Sequence, residues 1–92
     1  MWTILEHRHV VKELVGAPPQ IREKYEVWKN IVMHSGPEGL RAIKGFNDEA
    51  LKADLKGHRS SRLNQGWRVL YKVVSDQVTV VVERVSKHDY RA

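Results

Sequence analysis

Ninety-two residues, 41% of them hydrophobic and 29% charged, specify one small globular domain and leave no room for a second core. The absence of cysteine excludes a disulfide framework, a thiolate metal site and a cysteine nucleophile, and it fits a reducing cytoplasm. Residues 1–55 carry eight bases and eight acids, whereas residues 56–92 carry eight bases and three acids, so the whole net charge of +5 belongs to the C-terminal part. Such an asymmetry marks either a surface for a polyanion, most commonly nucleic acid, or a solubilising face.

Trp2-Thr3-Ile4-Leu5 reads as a short opening strand, and the charged residues that follow come too early for the apolar core of a signal peptide. Val10, Val11, Leu14 and Val15 recur at helical spacing, which predicts a helix over 8–15. Gly16-Ala17-Pro18-Pro19 breaks it, because proline lacks a donor and restricts the residue before it. Pro19 then suits the first turn of a second helix, whose apolar stripe is Ile21, Tyr25, Trp28, Ile31 and Val32. His34-Ser35-Gly36-Pro37 ends that helix. Residues 36–57, with four glycines and weak periodicity, read as a long connection with one helical turn near 48–52.

Beyond residue 57 the pattern changes to period two. Strands are expected over 59–64, 67–74 and 77–85, joined by turns at Gln65-Gly66 and Ser75-Asp76, hence an antiparallel meander. The expected fold is α+β: two N-terminal helices on one face of an antiparallel sheet of about four strands, in a single domain over 1–92. Trp67, Val69, Tyr71 and Val73 share one side of their strand and should meet the helices. Arg68 and Lys72 then stand on the open side, with Arg62 beside Arg68. Val80-Val81-Val82 leaves the parity of the last strand undecided; outward placement of Arg84 would add it to this basic face.

Chemistry has few candidates. The five histidines fall in no HExxH pattern, which predicts no metal site, and neither a GxSxG elbow nor a phosphate-binding Gly-Lys-Ser/Thr loop is present. Near the basic face lie Glu49, Asp54, His58, His88 and Tyr90. RNA cleavage without metal needs a base for a 2′-OH, a cation for the phosphorane oxygens and an acid for the leaving 5′ oxygen. Arginine suits the second task, its planar fork matching two phosphate oxygens. On pattern alone Arg68 reads rather as a strand arginine paired with Glu83, Glu49 as a solvated loop carboxylate, and His88 as a polar strand-end histidine.

The run Leu55-Lys56-Gly57-His58-Arg59-Ser60-Ser61-Arg62-Leu63-Asn64-Gln65-Gly66-Trp67-Arg68-Val69-Leu70-Tyr71 resembles the signature of RelE/ParE-superfamily toxins of bacterial toxin–antitoxin pairs. These typically carry Leu-Lys-Gly, a basic strand and an aromatic-Arg-hydrophobic-hydrophobic-Tyr strand. The ending Val85-Ser86-Lys87-His88-Asp89-Tyr90-Arg91 is similar to the histidine/tyrosine ending of the ribonuclease branch. Glu49-Ala50-Leu51-Lys52 falls where YoeB-type toxins have a catalytic glutamate followed by Pro-Leu-Lys, and Arg62 and Arg68 fall on their strand arginines.

The resemblance implies a ribosome-dependent, metal-independent mRNA endoribonuclease that acts in the A site, needs no cofactor and is neutralised by a cognate antitoxin. Glu49 would be the base and Arg68 the phosphate clamp. His88 and Tyr90 compete for the acid and base-stacking positions, because the final hairpin is slightly longer here. RelE itself uses lysines and arginines where this chain has Ser60 and His88. Lys52, Lys56, Arg59, Arg62, Lys72, Arg84, Lys87 and Arg91 are the expected RNA contacts; Trp67, with core parity, is expected to be structural. The same scaffold also suits a ParE-like gyrase inhibitor or a noncatalytic RNA-binding module.

Overall fold

A computed structural model describes residues 1–90. Three helices lie at Arg8–Val15 (α1), Pro19–Ser35 (α2) and Pro37–Arg41 (α3), and five strands at Thr3–Glu6 (β1), Glu49–Ala50 (β2), His58–Arg62 (β3), Arg68–Val74 (β4) and Thr79–Ser86 (β5). The sheet order is β1-β5-β4-β3-β2. The meander β3-β4-β5 is antiparallel as expected, but β1 joins β5 in parallel, Thr3 opposite Thr79 through Glu6 opposite Val82. The sheet is therefore mixed and five-stranded rather than antiparallel with about four strands.

The second correction concerns residues 48–52. The expected helical turn is replaced by strand β2, in which Glu49 pairs Ser60 and Ala50 pairs Arg59. Two residues are too few for a period to register in the sequence. The same connection holds α3, whose buried Leu40 and N-terminal Pro37 follow directly on the end of α2.

The α2 stripe forms because Ile21, Tyr25, Trp28 and Val32 are spaced by three or four residues, and all four are buried. Their partners are Val69 and Tyr71 of β4, Val80, Val82 and Val85 of β5, and Phe46 from the connection. Trp28 meets Tyr71 edge-on at a ring separation of 5.2 Å and donates from its indole to Ser61 Oγ at 2.9 Å. Arg22 closes the α1–α2 corner by donating its guanidinium to the carbonyls of Ala17 and Leu14. Helix α1 runs beside the part of β5 that extends past β1, where Glu13 accepts from the Val85 amide at 2.8 Å. An edge amide left open by the short β1 is thereby satisfied.

One irregularity decides what the other sheet face carries. Leu70 opposes Arg84 and Tyr71 opposes Val82, so Glu83 is an extra residue in β5. This bulge restores the parity of the apolar residues, Val82 and Val85 both pointing to the core although three apart.

Candidate active site on the open sheet face

Strand alternation assigns the faces. Arg59 and Ser61 of β3 oppose Tyr71 and Val69 and share the helix side, whereas His58, Ser60 and Arg62 oppose Lys72, Leu70 and Arg68 on the open side. Glu49 opposes Ser60 and so belongs to the open face too. The face away from the helices thus gathers Arg62, Arg68 and Lys72, as the sequence pattern predicts, and β2 adds Glu49.

Its centre is the directly opposed pair Arg62 and Arg68. Like charges in that position repel, and burial sharpens the repulsion. Arg68 is only 8% exposed, and the Nε of Arg62 is buried with no hydrogen-bond partner among the described residues. Asp89 approaches Arg68 at ion-pair range, 3.6 Å from Nη2, and is half open to solvent. Glu83, the alternative partner considered from the sequence, binds His58 instead.

The C-terminal segment closes one margin of this centre. Ser86 opposes Arg68 across the β4–β5 ladder; its Oγ lies 3.3 Å from the Tyr90 hydroxyl and accepts from the His88 amide at 3.4 Å. The His88 and Tyr90 rings meet at 4.6 Å and 62°. Glu49 occupies the opposite margin, diagonal to Arg62 across β2 and β3, a relation that separates β-carbons by about 7 Å. The order across the face is carboxylate, two guanidiniums, then imidazole and phenol.

The expected RNA contacts divide. Lys52, Lys56, Lys72 and Lys87 are exposed, Lys87 standing 6.0 Å over the half-buried Trp67 ring. Arg84 has open-face parity, but Glu13 of α1 holds its guanidinium at 2.7 Å and, by that hydrogen bond and its charge, raises its pKa. Arg59 is on the helix side. Burial is the largest single influence and opposes its charge, yet the hydrogen bond to Asp48 at 2.7 Å, the Asp48 charge and Tyr71 together outweigh it and leave its pKa raised. Arg59 is therefore not brought together with the open-face cations. Arg91 lies outside the described residues.

Sequence reasoning singled out neither Asp89 beside Arg68, nor the His58–Glu83 pair, nor Asp48, which also accepts from Ser61 and Tyr71 at 2.6 Å each. The only available signal was the apolar pair Val82 and Val85, whose odd spacing marks the bulge that turns Glu83 outward. Among the described residues no group of three His, Asp or Glu side chains is placed to hold a metal ion, and no helix is long and apolar enough to cross a membrane.

No family model and no curated protein sequence matches the chain. Solved structures do. E. coli YafQ superposes with a TM-score of 0.75 at 18% identity, covering 96% of this chain and 94% of that one. The RelE–RelB complex of Pyrococcus horikoshii gives 0.74 at 20% identity, over 94% and 93%. The YoeB–YefM toxin–antitoxin complex of Staphylococcus aureus gives 0.73 at 16% identity, over 97% and 99%. The chain has the RelE-like fold. The match spans nearly the whole of both chains.

Proposed function

We propose that this chain is the toxin of a type II toxin–antitoxin pair and cleaves mRNA on the ribosome in the cytoplasm, with no metal or other cofactor. The carrying observation is the opposed pair Arg62 and Arg68, two cations held together on the sheet face away from the helices, with a carboxylate at one margin and an imidazole and a phenol at the other. An anion between the guanidiniums relieves their repulsion, and a phosphodiester is the anion that the flanking acid and base can use.

In the proposed step Glu49 removes the 2′-OH proton, and the 2′ oxygen forms a bond to phosphorus. Arg68, with Arg62, stabilises the charge on the equatorial oxygens. The bond to the 5′ oxygen breaks, that oxygen takes a proton from His88 or Tyr90, and a 2′,3′-cyclic phosphate remains. Asp89 is then a placeholder that substrate phosphate displaces from Arg68. Lys52, Lys56, Lys72 and Lys87 supply phosphate contacts around the centre. RelE and YoeB neighbours were solved with their partners RelB and YefM, which supports a cognate antitoxin here.

A translation assay read by primer extension, in the presence of chelator, tests this. Wild-type protein should cut message on ribosomes, and Arg68→Ala should lower the rate by about 10²–10³. Undiminished cleavage by that variant removes the mechanism. Intact message together with inhibited DNA supercoiling would instead identify a ParE-like gyrase inhibitor, and salt-sensitive RNA binding without cleavage a noncatalytic module.

A further inference from the structure

The open face carries a second polar cluster that the proposed cleavage does not use. His58 Nε2 lies 2.8 Å from Glu83 Oε2, a contact that joins β3 to β5 across the intervening β4. The bulge makes it possible, since it leaves both Glu83 and Arg84 off the core side. The imidazole is 21% exposed and the carboxylate 32%, and the Nδ1 of His58 is buried without a hydrogen-bond partner among the described residues. Lys72 stands directly opposite His58; it is exposed and makes no ion pair among the described residues.

A carboxylate is out of place on a surface that collects phosphate, because it cancels the lysine beside it. With His58 neutral, Lys72 and Glu83 sum to zero. With His58 protonated, the same three side chains present one positive charge. Of the other charged groups nearby, Arg84 is held by Glu13, and Glu38 and Arg41 of α3, which line a cavity with His58, carry opposite charges. Glu49, diagonal to His58 across β2 and β3 as it is to Arg62, adds a fixed negative charge, so the proton on His58 still raises the charge of the site by one.

We propose that His58, Glu83 and Lys72 form a second phosphate subsite for single-stranded RNA, whose charge is set by the proton on His58. It lies four residues along β3 from Arg62, about 13 Å at the rise of a strand, so it would hold a nucleotide flanking the one being cut. Phosphate bound there favours the imidazolium over the imidazole, so RNA affinity rises as pH falls. The subsite rests on reading the open face as an RNA surface.

Binding of a fluorescent single-stranded RNA oligonucleotide to the full chain, at constant salt between pH 8 and 5.5, tests the assignment. Wild type should tighten by about tenfold on acidification, and His58→Gln should lose most of that gain. Glu83→Gln should bind several-fold more tightly than wild type at pH 8. Cooperative thermal unfolding of each variant confirms that it is folded. RNA binding in which His58→Gln keeps the wild-type pH response, or Glu83→Gln is no tighter, overturns the subsite alone. Failure of the wild type to bind RNA at any pH overturns the RNA surface and the subsite with it.

Discussion

Asp48 has a side chain wholly withdrawn from solvent, and three donors converge on it: the Arg59 guanidinium, the Ser61 hydroxyl and the Tyr71 phenol. It ties the start of β2 to the helix side of β3 and β4, directly behind the open-face cations. Asp48→Ala would leave the mostly buried Arg59 charge without its acceptor, which costs about 3 kcal/mol. In a domain whose total stability is on the order of 5–15 kcal/mol, that loss should be plain in a urea unfolding curve. A midpoint within error of wild type would show that the cluster contributes nothing net.

Tyr71 belongs to the same cluster. Burial first, then the neighbouring Asp48 charge, pushes its phenol pKa well above the ordinary 10. Tyr25 behaves alike, through burial and its hydrogen bond to Glu6. A phenol kept neutral in the folded chain but free to ionise in the unfolded one stabilises fully below pH 10. That contribution declines as pH rises towards the folded-state pKa, by about 1.4 kcal/mol per unit for each tyrosine. Unfolding free energy measured at pH 9, 10 and 11 should therefore fall steeply in the last interval, and a flat profile would contradict the burial of both hydroxyls. The role of Asp48 was not legible in the sequence, because it lies in a stretch without period. Tyr71 was legible: its alternation with Val69 placed it in the core.

At the scale of elements, the junction between α2 and α3 turns on Gly36. Its φ of +71° lies where side chains are disfavoured, and a β-carbon there would meet Trp2 Nε1 at 2.6 Å and Cε2 at 2.8 Å. The close approach lets the β1 end pack on the corner, where the Trp2 amide also donates to the Met33 carbonyl at 3.0 Å. Gly36→Ala adds backbone strain to a steric clash, so about 2 kcal/mol of destabilisation is expected in thermal or denaturant unfolding. An unchanged melting temperature would mean that Trp2 swings away without loss.

The long amphipathic α2 and the period-two strands were readable because each has enough residues to display a period. The two-residue β2 and the short α3 do not, and Gly36-Pro37 marks only the boundary between α2 and α3. The direction in which β1 joins the sheet is a tertiary choice. Its apolar character shows that it is a strand, whereas its position beside β5, filling the half-edge next to α1, follows from how the helices are tethered. The odd spacing of Val82 and Val85 was visible, but only the register of β4 against β5 turns it into a bulge and makes Glu83 a neighbour of His58.

Across the whole molecule, the charge asymmetry becomes an asymmetry of faces. Of the excess bases in the C-terminal part, Arg59 is taken up by Asp48 on the helix side and Arg84 by Glu13 at the edge. Arg62, Arg68, Lys72 and Lys87 remain on or beside the open sheet face, with Asp89 and Glu83 as its acidic counterweights. Binding of single-stranded RNA to such a face releases counterions in proportion to the phosphates neutralised. The slope of log affinity against log salt is about −0.7 per phosphate. Arg62→Ala should lower the magnitude of that slope by about 0.7, because its guanidinium faces the site. Arg84→Ala should lower it by clearly less, because Glu13 already neutralises that charge. Lys12→Ala, on exposed α1 at the sheet edge, serves as the reference for a cation remote from the Arg62–Arg68 pair. Equal slope changes for Arg62 and Lys12 would mean that RNA senses only net charge, and the face would then have no claim to be the binding surface.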